Sequence, residues 1–131
     1  MKVIETRSAV IHVDEMGIHR ATCKAVAQDV NDAKENVAVS KKLSGGKKVL
    51  LYIDIRKLKS QTRECQVYYS GPAGCEVYSA VAILIQSVLS KVIANFFMGL
   101  RRPPIPIRLF TDEAEAFAWL KTEGEKKPEA A

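Results

Sequence analysis

The chain has 131 residues, of which 47% are hydrophobic and 27% charged, and its formal net charge is +5. That length suits one domain with its own core, and the composition excludes intrinsic disorder. The longest apolar runs, such as 80–85, fall far short of the roughly 20 residues a membrane-spanning helix needs, and no apolar stretch of signal-peptide type follows the first basic residue.

The first pattern is SAVIHVDEMGIHRATCK. Val10, Ile11 and Val13 lead into Asp14-Glu15-Met16-Gly17, and Ile18 resumes the apolar pattern, so these residues predict a β-hairpin. A two-residue turn at Glu15-Met16 would set His12 opposite His19. Asp29-Val30-Asn31-Asp32 supplies capping residues for a helix. Ala33, Val37, Ser40 and Leu43 form its weak apolar stripe, and Ser44-Gly45-Gly46 ends it. Residues 48–55 predict a strand whose apolar run lacks alternation, as expected when helices cover both faces.

A short helix over 62–70 follows, with Cys65, Tyr68 and Tyr69 on one side, broken by Ser70-Gly71-Pro72-Ala73-Gly74. Residues 77–85 predict a second buried strand. Leu89, Val92, Ile93, Phe96, Phe97 and Leu100 recur at helical spacing, and Arg101-Arg102-Pro103-Pro104 cannot continue that helix. Residues 107–110 predict a last strand, and Thr111 is the expected cap of a last helix with Asp112 and Glu113 in its first turn. Residues 1–123 thus read as one α/β domain of order β-β-α-β-α-β-α-β-α, and 124–131 as a charged tail. The alternation makes the last three strands parallel, and the hairpin adds an antiparallel strand to a mixed sheet of about five.

The order of elements, with Asn95-Phe96-Phe97, Arg108-Leu109-Phe110-Thr111-Asp112-Glu113, Ala116 and Trp119-Leu120, resembles the SpoIIAA-like (STAS/SEC14-related) group of small bacterial domains. Within that group the chain is most similar to a subfamily whose members are mostly uncharacterised. The resemblance implies a SpoIIAA-like sandwich without enzymatic activity that regulates by binding a protein partner. In the anti-sigma-factor antagonists of the group, a Ser in an Asp-Ser-Ser-Gly-like motif after the central strand is phosphorylated. Here that motif is replaced by Lys59-Ser60-Gln61-Thr62-Arg63, so Thr62, with Ser60 beside it, falls nearest the acceptor position. SEC14-like relatives imply the alternative role, a carrier of a lipid or other small apolar ligand.

Charge is concentrated in one window. Residues 41–63 carry Lys41, Lys42, Lys47, Lys48, Arg56, Lys57, Lys59 and Arg63 against the single acid Asp54, which leaves the rest of the chain at −2. A field of this sign attracts anions or an acidic partner. The expected binding surface comprises Asp54, Arg56, Lys57, Lys59 and Arg63, with Ser60 or Thr62 as its switch.

Catalytic and metal chemistry find little support. Asp54 has no His, Cys or second acid near it in sequence, and it reads as a cap of the loop that follows. Two histidines alone do not make a zinc site, so neither a metal nor a cofactor is expected. Gly45-Gly46-Lys47-Lys48 precedes a strand and lacks the phosphate-loop spacing. Cys23, Cys65 and Cys75 are odd in number and form no Cys-x-x-Cys, which points to reduced thiols and a cytoplasmic protein; Cys75 reads as a small buried thiol. The basic window lacks the interleaved aromatics of a single-strand binder, which disfavours nucleic acid. Phe96, Phe97, Met98 and Leu100 carry more apolar surface than one stripe needs, so they are candidate contacts for an apolar ligand or for a homodimer, as is the hairpin's edge strand.

Overall fold

The computed structural model describes residues 2–87 and 105–126. A six-stranded mixed sheet carries the fold, in the order β1 (Val3–Glu5), β2 (Ala9–Val13), β3 (His19–Cys23), β5 (Val49–Asp54), β7 (Tyr78–Leu84) and β8 (Ile107–Phe110). β1, β2 and β3 pair antiparallel, while β3, β5, β7 and β8 run parallel. The parallel order follows from crossovers through α1 (Val30–Ser44) and through α2 (Arg63–Ser70) with α3 (Pro72–Val77). A last helix, α4 (Glu113–Glu125), covers the other face and continues through Gly124, where the sequence places the start of the tail.

The sheet separates two cores. Ile11, Ala21, Leu51, Val81 and Ile83 pack toward α1 with Val37, while Tyr52, Ala80, Ala82 and Leu84 pack toward α4 with Ala116 and Leu120. Burial on both sides explains why β5 and β7 read as apolar runs without alternation. Phe117 lies against Tyr52, 4.4 Å between ring centroids, and the Arg20 guanidinium stands over the Phe117 ring at 4.1 Å.

Several expectations change. The sheet has six strands rather than about five, because Val3–Glu5 pairs outside β2; three residues give too little pattern to predict. That strand, rather than the hairpin, forms this edge of the sheet. A second small sheet pairs β4 (Ala27–Gln28) with β6 (Ser60–Gln61). The hairpin turn is longer than two residues: Asp14 Oδ1 accepts from the N–H groups of Met16 and Ile18, both at 2.9 Å, and Gly17 takes φ +80°. Val13 therefore pairs with His19 and His12 with Arg20, which puts the two histidines on opposite faces.

The expected break at 70–74 is also a helix, α3, with Pro72 in its first turn. Gly74 is required there, since a Cβ would run into the Tyr69 carbonyl oxygen. The cap of α4 is Asp112 rather than Thr111, its Oδ1 accepting from Ala114 N at 3.3 Å. The expected helix bearing Phe96, Phe97, Met98 and Leu100 lies outside the described residues.

Candidate functional site

Asp54 is the last residue of β5. Strand alternation puts it on the Tyr52 side of the sheet, toward α4. The chain then turns back on it: Arg56 N donates to Asp54 Oδ1 at 3.0 Å, and the Arg56 guanidinium reaches the carboxylate through Nε and Nη2, the latter at 2.8 Å. Burial would raise the Asp54 carboxyl, but the Arg56 hydrogen bonds outweigh it and hold the group below its ordinary range. Asp54 is thus a loop cap neutralised by its neighbour, and Arg56 is committed to it.

Net positive charge on this loop comes from Lys57, Lys59 and Arg63. All three are exposed, and none is in an ion pair among the described residues. Their backbone is held firmly. Lys59 N donates to Val26 O at 3.1 Å, the β4–β6 pair follows, and Thr62 N donates to Gln28 O at 3.0 Å. Leu58 is buried beneath them. Thr62 is the N-cap of α2, its Oγ1 accepting from Cys65 N at 3.1 Å, and both Thr62 and Ser60 are exposed. Asp54, Arg56, Lys57, Lys59, Ser60, Thr62 and Arg63 therefore all lie at the carboxyl edge of the parallel strands, where open α/β sheets usually build their sites.

Beneath this loop lies a polar network that sequence reading missed. Gln28 Nε2 donates to Ser8 Oγ at 3.0 Å, and Gln28 Oε1 accepts from Gln61 Nε2 at 2.8 Å. Asn36 Nδ2 donates to Ser8 Oγ at 3.1 Å and to the Tyr69 hydroxyl at 3.0 Å, while its Oδ1 accepts from Thr6 Oγ1 at 2.7 Å. Ser8, Gln28 and Asn36 are buried. Nearby, Arg7 Nε donates to the buried carboxylate of Asp32 at 2.7 Å, and this hydrogen bond is the main reason the Asp32 carboxyl sits below its ordinary value. Side chains from the β1–β2 turn, β4, α1, β6 and α2 are joined here, and such fully satisfied networks fix one arrangement of the elements they join. Isolated Asn and Gln residues belong to no motif; the one available signal was Asn36 falling in the apolar stripe of α1.

The cysteines are built for silence. Burial pushes Cys23 and Cys65 up to about 12 and also raises Cys75, whose Sγ lies 3.4 Å from Ser70 O; none is a ready thiolate. Among the described residues no group of three or more His, Cys, Asp or Glu is placed to hold a metal ion, and no helix is long and apolar enough to cross a membrane.

The basic window does not form one surface. Lys41 and Lys42 lie in the last turn of α1, and Lys47 and Lys48 follow the Gly45-Gly46 turn, so these four stand at the amino edge of β5. Six residues of strand, roughly 20 Å, separate them from the carboxyl-edge loop. An apolar cavity of about 60 Å³ lies between the sheet and α2, with Leu51, Ile53, Val81, Ile83, Ile107 and Tyr69 in its walls.

Residues 12–123 match the family described as Domain of unknown function (DUF7793). The chain belongs to that family. Its fold is SpoIIAA-like: the chain is similar to a crystal structure of an uncharacterised DUF3478-family protein with a SpoIIAA-like fold from Shewanella loihica PV-4, at a TM-score of 0.59 and 18% identity, covering 89% of this chain and 98% of that one. No curated protein matches the sequence. The family match stops at Glu123 and spans the β5 loop, so both the carboxyl-edge surface and the lysine turn belong to the family's domain.

Proposed function

We propose that this domain is a non-enzymatic regulatory module that binds an acidic protein partner through its carboxyl edge. One observation carries the reading. Lys57, Lys59 and Arg63 are exposed and free of ion pairs among the described residues, on a loop whose backbone is fixed by β6 and by the Thr62 cap. Fixed cations on a rigid loop raise association rates and select an oppositely charged surface. Ser60 or Thr62 is the switch. A phosphate there adds about −1.5 to −2 charges beside Lys59, Arg63 and the first N–H groups of α2, so it cancels the field that holds the partner. Three reduced, buried cysteines fit a cytoplasmic setting.

The test is affinity capture from the native cytosol with quantitative mass spectrometry. Lys57→Glu with Lys59→Glu is expected to weaken the captured partner by at least about tenfold while the fold is kept. Equal capture by the double variant would defeat the proposal. Intact-mass analysis of natively expressed protein tests the switch separately, by a phosphate adduct mapped to Ser60 or Thr62.

A second reading, a carrier of a small apolar ligand, draws support from the cavity against α2. Its volume of about 60 Å³ is small beside the ~300–1,000 Å³ of pockets for drug-sized ligands, so this reading stands second. Organic extraction of natively purified protein, followed by mass spectrometry, would reveal a retained lipid. Self-association as a two-fold dimer is also proposed. The three-residue β1, with Val3 56% exposed, is a sheet edge unpaired among the described residues, and sedimentation at micromolar concentration should then show twice the monomer mass.

A further inference from the structure

The opposite end of the sheet carries a second cationic surface of different make. Lys41, Lys42, Lys47 and Lys48 are all exposed, and none is in an ion pair among the described residues. They sit around a tight turn in which Gly45 N–H closes on Lys42 O and Lys47 N–H on Ser44 O, with Gly45 and Gly46 at φ +64° and +90°. The α1 C-terminus favours cations at Lys41 and Lys42 through its dipole. Pairing of His19 with Leu51 brings the β2–β3 hairpin tip alongside the start of β5. That tip holds Met16, which at 67% exposed is the most exposed large hydrophobic residue among those described.

The acids on this edge are few. Asp14 is engaged by Arg20 at 3.0 Å, leaving Glu15 at the tip and Glu76 beside β7. The last turns of α4 reach the same edge, where Gly124 adjoins Leu50, and their two lysines and two glutamates add no net charge.

The geometry points to this amino edge as a docking surface for an anionic phospholipid membrane, with Met16 entering the headgroup layer and the four lysines against the lipid phosphates. Three features select a bilayer over other polyanions. The cations are all lysine, strongly hydrated point charges suited to a diffuse field; the forked, stacking arginine that favours nucleic acid or a carboxylate-bearing partner is absent from the turn. Among the described residues no exposed aromatic accompanies them for stacking on bases. An exposed methionine at the tip of a turn beside exposed lysines supplies both parts of interfacial binding, apolar insertion and charge attraction. The surface is independent of the carboxyl edge proposed for the protein partner, and it would present that edge away from the membrane.

Co-sedimentation with equimolar phosphatidylcholine–phosphatidylglycerol vesicles tests it, with pure phosphatidylcholine vesicles as the control. Wild-type protein should bind the anionic vesicles only, and added salt should release it. Each lysine near an anionic surface contributes on the order of fivefold in affinity, so changing all four to Gln should weaken binding by several hundredfold. Lys47→Gln with Lys48→Gln, which leaves α1 untouched, should weaken it roughly 25-fold. Met16→Ser should weaken it several-fold with the salt dependence unchanged. The proposal is overturned if wild-type protein ignores anionic vesicles, if the lysine variants bind them equally, or if Lys57→Glu with Lys59→Glu abolishes the binding instead. It is equally overturned if the lysine turn binds RNA or an acidic peptide but no vesicle.

Discussion

The two edges of the parallel sheet carry similar charge on very different supports. At the carboxyl edge the cations ride on a loop tied down by β6, the Thr62 cap and the Asp54–Arg56 pair, above a network joining Ser8, Gln28, Asn36, Gln61 and Tyr69. At the amino edge four lysines surround a glycine turn, and no comparable side-chain network lies beneath it among the described residues. Charge count alone makes the ends similar, a net +3 against four lysines. Their supports make the first suited to recognising one shape and the second to a surface without shape.

The largest contrast should appear in stability. Asn36→Leu takes the hydrogen-bond partner from the Tyr69 hydroxyl and one partner each from Ser8 and Thr6, and a buried polar group left unpaired costs about 1–3 kcal/mol. We expect a loss of about 3 kcal/mol by urea denaturation. Changing the four amino-edge lysines to Gln, by comparison, should move each position by no more than about 0.5 kcal/mol. Equal losses from the two would erase the distinction. Smaller is the cap. Thr62→Ala removes the acceptor for Cys65 N and should cost about 1 kcal/mol, whereas Thr62→Asp should restore most of it.

A titration separates the two ends by pH. His19, at the amino edge, is buried with its Nδ1 unpartnered among the described residues, and burial lowers its pKa below 6.5 despite the nearby Asp14. Below pH 6.5 the unfolded chain therefore takes up the proton before the folded chain does. Stability falls as pH drops from 6.5 toward the folded value. Asp32 and Asp54 at the carboxyl edge have lowered folded values, so their contribution is present above 3.8 and is lost as pH falls through the folded pKa. Denaturation at pH 7.5, 5.5 and 3 should show two separate losses, and His19→Gln should remove the first alone. The smallest effect belongs to Lys57→Glu with Lys59→Glu, expected to shift stability by about 0.5 kcal/mol or less, because both side chains are exposed.

Sequence carried the fold where pattern is long. The apolar runs of β5 and β7, the Asp29 cap and Gly45 stop of α1, and the Leu120 face of α4 all stand where periodicity and capping put them. It failed where structure is set by partners distant in sequence. Val3–Glu5 is a strand because β2 offers an edge, and α3 forms because Gly74 can approach the Tyr69 carbonyl. The candidate site was half legible. Asp54 and the basic residues could be found from the strand exit, but Arg56 folding back onto Asp54, and the division of one basic window between two ends, needed the strand's length and register. The Gln28–Asn36 network left one faint trace, Asn36 in the apolar stripe of α1, since single polar residues have no periodicity.

The most direct measurement is capture of the acidic partner by three baits: wild type, Lys57→Glu with Lys59→Glu, and Lys47→Glu with Lys48→Glu, each shown to be folded by its thermal transition. The account predicts that the carboxyl-edge variant loses the partner and the amino-edge variant retains it. Retention by the carboxyl-edge variant, or equal loss from both, would contradict the claim that the loop at 57–63 is the binding surface.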